Sequence, residues 1–129
     1  MAKHTIALLI LLFAVSIIYS QEKECKDYKT GKFLLESEKY GTKYTIERSD
    51  SIQFETDLTT GESTTLSVTW INECTYELRL AKKRRFFKRF FKEDILTIEI
   101  LEVFDNGYRY SAKMNNSHYI QYDRVSIME

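Results

Sequence analysis

Apolar side chains recur at every second position along most of this chain, and a period of two fits only a pleated strand that hides one face from water. Tyr44 and Ile46 alternate with Lys43, Thr45 and Glu47, and Ile52 and Phe54 continue the pattern against Gln53 and Glu55. Leu66, Val68 and Trp70 then alternate with Ser67 and Thr69, while Tyr76, Leu78 and Leu80 flank Glu77 and Arg79. Farther on, Leu96, Ile98 and Ile100 oppose Thr97 and Glu99, and Tyr108, Tyr110 and Ala112 oppose Arg109, Ser111 and Lys113. Even-numbered positions are therefore expected to carry the buried face. The stretch from Tyr119 to Ile127 alternates least clearly.

Short polar clusters separate these runs: Ser49-Asp50-Ser51, Thr59-Thr60-Gly61, Asn72-Glu73, Asp105-Asn106-Gly107 and Asn115-Asn116-Ser117. Asn106-Gly107 is the strongest turn signal, since both residue types tolerate the positive φ of a tight hairpin. Short connections favour antiparallel neighbours, and no proline occurs to interrupt a ladder. A long meander must curl shut or leave two edges open to aggregation. The expected fold is thus all-β, an antiparallel meander of about eight strands closing into a small lipocalin-like barrel. A flattened sandwich is the alternative.

The first residues place Lys3 ahead of an apolar run from Ile6 to Ile18, with small Ser20 before polar Gln21. That order is the order of a cleavable export signal, and the run is short of the ~20 residues a membrane-spanning helix needs. Residues 1–20 are accordingly expected to be a signal peptide and residues 21–129 a single β domain, secreted to a periplasmic or extracellular space. Such a domain is small enough that one core is marginal. Its two cysteines, Cys25 and Cys74, are expected to form a disulfide in an oxidising compartment, two buried thiols being the alternative. Nineteen basic and nineteen acidic residues leave no net field to attract nucleic acid or acidic partners.

One segment departs from the strand pattern. Lys82, Lys83, Arg84, Arg85, Lys88, Arg89 and Lys92 interleave with Phe86, Phe87, Phe90 and Phe91. On a helix the four rings gather within about 140°, so the spacing predicts a short amphipathic helix over 83–92. Its Phe face would cap the core with its charges in water, or sit on an anionic envelope surface. Stacking on single-stranded nucleic acid suits the same composition, but export weighs against it.

Nothing in the sequence assembles a catalytic or metal-binding set. His118 stands alone in the exported portion, without a nucleophile to serve, and the two cysteines are too far apart for a zinc knuckle. No cofactor is implied. Glu47, Glu55, Glu77 and Glu99 fall at expected solvent-facing positions, where pairing with Arg48, Arg79 or Arg109 outweighs a carboxylate acid–base pair. Trp70, Tyr76, Tyr108 and Tyr110 are candidates to line a pocket, although so small a barrel is expected to spend its rings on packing.

Cys25, Thr30-Gly31-Lys32-Phe33, Arg48, Asp50, Gln53-Phe54-Glu55 and the spaced set Trp70, Cys74, Tyr76 and Leu78 resemble a family of small secreted Bacteroidetes and flavobacterial proteins of uncharacterised function. The resemblance covers the first half of the exported chain and implies the same two-cysteine frame and a home outside the cytoplasm. Some members of that family bear a topoisomerase IV label, which no residue here supports. The functional expectation is a non-enzymatic exported binding module for an apolar small molecule or an anionic surface. A protein-interaction role and a carboxylate-based hydrolase are the alternatives.

Overall fold

A computed structural model describes residues 22–81 and 94–129. Eight strands follow one another: β1 (Gly31–Ser37), β2 (Thr42–Arg48), β3 (Ile52–Asp57), β4 (Ser63–Asn72), β5 (Thr75–Leu80), β6 (Leu96–Phe104), β7 (Gly107–Met114) and β8 (Ile120–Ile127). Each pairs antiparallel with the next, and β8 returns to β1, so the sheet is a closed barrel. Closure pairs every strand on both sides and leaves no edge. The only helical element among the described residues is a 3₁₀ turn, Cys25–Tyr28. The expected signal segment 1–20 and the expected helix over 83–92 lie outside the described residues.

The alternation holds on β2, β4, β5 and β7. Phe33, Ile46, Val68, Tyr76, Leu78, Ile98, Ile100, Tyr108, Tyr110 and Val125 form the buried cluster. Cross-strand partners such as Phe33 and Ile46, or Val68 and Leu78, share the inward face. On β3 the expectation fails. Gln53 is 1% exposed and Glu55 turns inward, while Phe54 is 48% exposed. The register explains the reversal: inward Arg48 pairs with Gln53 and inward Ile46 with Glu55, and directly opposed residues point to the same side. Leu80, expected inside, is exposed at the end of β5. On β6 a bulge between Ile100 and Glu102 shifts the parity, so Leu101 faces out and Val103 packs against the core.

The two ends of the barrel differ. At one end the chain preceding β1 folds across the opening, and a disulfide joins Cys25 to Cys74 in the β4–β5 turn, with Cα atoms 5.2 Å apart. Tyr28 reaches across to donate its hydroxyl to the Phe104 carbonyl, and the Gly107 amide donates to that hydroxyl at 3.2 Å. Gly107 alone in its turn has a positive φ, contrary to the expectation that Asn106 would share it. A Cβ at Gly107 would lie 1.9 Å from the Val125 carbonyl oxygen, so the close approach of β8 requires glycine. The opposite end carries the loops that follow β1, β3 and β7. The fifth and sixth strands also end and begin there, at Leu80 and Leu96.

Candidate functional site

Arg48 is the centre of the closed end. Its side chain is 4% exposed, yet every guanidinium donor is matched. Nε donates to the Lys29 carbonyl at 3.1 Å. One terminal nitrogen donates to Gln53 Oε1 at 3.1 Å and to the Tyr76 hydroxyl at 2.8 Å. The other donates to the Tyr28 carbonyl at 2.8 Å and the Tyr108 hydroxyl at 2.9 Å. Rings enclose it as well, the Tyr76 and Phe33 centroids lying 4.6 and 4.8 Å from the guanidinium carbon. Burial works against its charge, but the facing Tyr76 and Tyr108 outweigh burial and hold Arg48 more firmly protonated. Burial in turn pushes the Tyr76 hydroxyl well above its ordinary range, with Tyr108 adding to the effect and Arg48 opposing it.

Gln53 carries this network toward the other end. It accepts from Arg48 and donates through Nε2 to Glu55 Oε1 at 2.8 Å. Glu55 thus meets the buried cation through an intervening amide. Desolvation raises its pKa above the usual carboxylate value, against the lowering effects of Gln53 and Arg48.

Above Gln53 the barrel is not filled. A cavity of about 240 Å³ opens toward the end where Ser117 and Tyr119 lie. Its walls are mainly apolar, with Leu35, Ile46, Leu78 and Ile98 among them, and its polar groups include Glu55, Gln121 and Tyr110. Tyr110 is 8% exposed, and its hydroxyl makes no hydrogen bond to any described residue. Burial pushes its hydroxyl upward, and the negative charges of Asp123 and Glu55 add to the shift. Asp123 stands directly across from Tyr110 on β8. At the rim the Tyr40 and Tyr119 hydroxyls lie 3.1 Å apart, with Lys39 Nζ 3.4 Å from Tyr119.

The expected pocket residues divide between the two halves. Tyr76, Tyr108 and Tyr110 line the cavity. Trp70 does not; it packs at the closed end against Tyr76, ring centroids 4.6 Å apart, beneath Lys29. Its indole nitrogen is buried without a partner among the described residues. Cys25 and Cys74 are bridged as expected. The residues expected on an anionic surface, Lys82 to Lys92, lie outside the described residues. Among the described residues no three His, Cys, Asp or Glu side chains converge as a metal site would require. Of the carboxylates expected to face solvent, Glu47 and Glu77 do so in ion pairs with Lys32 and Arg79, whereas Glu55 is inside.

Sequence reasoning missed Arg48, Gln53 and Glu55 as a unit. The signal was present for Arg48, which keeps the parity of Tyr44 and Ile46 on the same strand. Among the described residues no helix is long and apolar enough to cross a membrane. No protein-family model matches the chain, and no curated protein or solved structure is recognisably similar to it.

Proposed function

We propose that this chain is a non-enzymatic, exported binding module that holds a small molecule in the open half of its barrel. The carrying observation is the Tyr110 hydroxyl, engaged by no described residue, on the wall of a one-ended cavity beside the Glu55 carboxyl. A ligand that enters the cavity takes this hydroxyl out of water, and a polar group on the ligand that pairs with it avoids the desolvation cost. Ligand sites commonly combine apolar walls with a few placed polar groups, and a volume below about 300 Å³ restricts the occupant to a molecule smaller than a typical drug. The disulfide accords with residence in an oxidising compartment.

Native mass spectrometry of the exported protein tests this reading. The expected spectrum contains a low-mass adduct. Ala112→Phe, which places a ring in the cavity, is expected to remove that adduct while thermal unfolding stays cooperative. A bare wild-type mass, together with no thermal stabilisation by small apolar compounds, would overturn the proposal.

A further inference from the structure

We infer that the cavity selects small apolar amines, with the ammonium held by the Glu55 carboxylate and the Tyr110 hydroxyl and the apolar body against Leu35, Ile46, Leu78 and Ile98. This inference rests on the binding-module reading and adds the ligand's chemical class. Three observations on different strands support it. Glu55 Oε1 is engaged by Gln53, which leaves its second oxygen as an acceptor at the cavity. Tyr110 has an unengaged hydroxyl whose lone pairs can accept and whose ring adds an aromatic face for a cation. Asp123, across from Tyr110 on β8, adds negative potential on the same side. An ammonium carries three donors and no acceptor, so it complements this set of acceptors.

The competing ligand chemistries fit less well. A carboxylate or phosphate needs several donors, and all five of Arg48's are already committed to Gln53, two tyrosine hydroxyls and two backbone carbonyls, which leaves it the single Tyr110 O–H beside an anionic Glu55. It would also face Glu55 with like charge, in the negative field that Asp123 adds at Tyr110. A neutral alcohol can bond to the same acceptors but leaves the desolvated Glu55 charge uncompensated, and charge-assisted bonds are roughly twice as strong as neutral ones.

Amine binding is expected to depend on the charge of Glu55. The charged and titratable groups acting on that carboxyl are Arg48 and Tyr44 on β2, Tyr110 on β7 and, through Tyr110, Asp123 on β8. The tyrosines and Arg48 keep their protonation through the acidic range. Affinity for an amine that stays protonated should therefore fall as acid neutralises Glu55, beginning above the ordinary carboxylate range because burial raises this group.

The test is calorimetric titration of the full exported chain with three probes matched in shape: 2-phenylethylamine, 2-phenylethanol and phenylacetate. At neutral pH the amine is expected to bind at least about tenfold more tightly than the alcohol, as a charge-assisted bond provides. Phenylacetate is expected to bind more weakly than either. Glu55→Gln, with folding checked by circular dichroism, should narrow the ratio of amine to alcohol affinity to within about threefold, and acid should narrow it in the wild type. Equal binding of amine and alcohol, or a preference for phenylacetate, overturns amine selection while leaving the open cup in place. A preference undiminished in Glu55→Gln also overturns the assignment to that carboxylate. Failure of all three probes, with no adduct in the native spectrum, removes the binding-module reading itself and the amine with it.

Discussion

Arg48 occupies an inward position on a strand whose inner face is otherwise Thr42, Tyr44 and Ile46, and its neighbours are arranged around that fact. Five donors in a rigid fork meet two phenols, one amide and two carbonyls. Arg48→Met would fill much of the same volume but leave those acceptors buried and unpaired, so it should lower stability by about 3 kcal/mol or more. Arg48→Lys is expected to be nearly as damaging, because a single ammonium cannot span the same partners. Urea unfolding midpoints check both. Glu55 works in the opposite sense. Its folded pKa lies above its unfolded value, so the protonated form is favoured by folding. That contribution is fully present below the unfolded value, about 4.3, and is lost as pH rises through the folded one. Glu55→Gln, which keeps an acceptor for Gln53, should therefore raise the melting temperature at neutral pH by on the order of a few degrees. The advantage over wild type should vanish in thermal scans below about pH 4. A variant less stable than wild type at neutral pH would show that Glu55 is held chiefly as Arg48's counter-ion.

Two elements invert the usual arrangement of a strand. On β3 Gln53 and Glu55 face in while Phe54 faces out; on β8 Gln121 and Asp123 turn toward the interior with Val125, while Ile120 and Tyr122 are exposed. Hydrophobic alternation reveals that a segment is a strand whichever face is buried, which is why the strands and their order were legible before the structure. It assigns the apolar parity inward, which is wrong where the interior is polar. The inversions coincide with the cavity, so the fold could be read from the sequence, and of the candidate site the tyrosines could but the polar groups of β3 could not. The arm before β1 shows the same limit. Cys25 and Cys74 suggested a bridge, but not that the bridge would hold Tyr28 across the end of the barrel. Replacing both cysteines by alanine releases a loop closed across a separation of 49 residues. The expected loss is about 4 kcal/mol by chain entropy, read as a lower urea midpoint. Gly107→Ala should be still more severe for its size, since the added carbon overlaps the Val125 carbonyl. Its check is the yield of soluble, cooperatively unfolding protein.

The barrel as a whole is closed by a short seam, comparable with the β5–β6 ladder and much shorter than the β6–β7 one. The first and last strands pair over Phe33 with Ile127, Leu34 with Ser126 and Leu35 with Val125, whereas β6 and β7 pair from Leu96 and Met114 to Phe104 and Gly107. Closing a ring between the two ends of the chain also costs more loop entropy than extending a hairpin. Local openings are drawn from the elements with the least support, so this seam should part before the long β6–β7 ladder. The two sides of the seam are not equal, however. At the closed end Met128 donates to the Lys32 carbonyl at 2.9 Å and Ile127 to the Asn106 carbonyl at 2.8 Å, beside the bridged amino-terminal arm. Above Leu35 no registered pair continues the seam toward the open end. Opening should therefore begin at the cavity and propagate downward, which gives a molecule with a packed base a deformable mouth. Native-state hydrogen exchange tests the order: amides of Ser37 and Gln121 should exchange at lower free energy than those of Phe33 and Ile127, and the β6–β7 ladder only with global unfolding. Reduction of the disulfide should abolish the difference between the two ends of the seam, because it frees the arm that supports the lower one. Uniform protection along β1 and β8 in the oxidised protein would show that the seam opens as one unit and that the mouth has no freedom of its own.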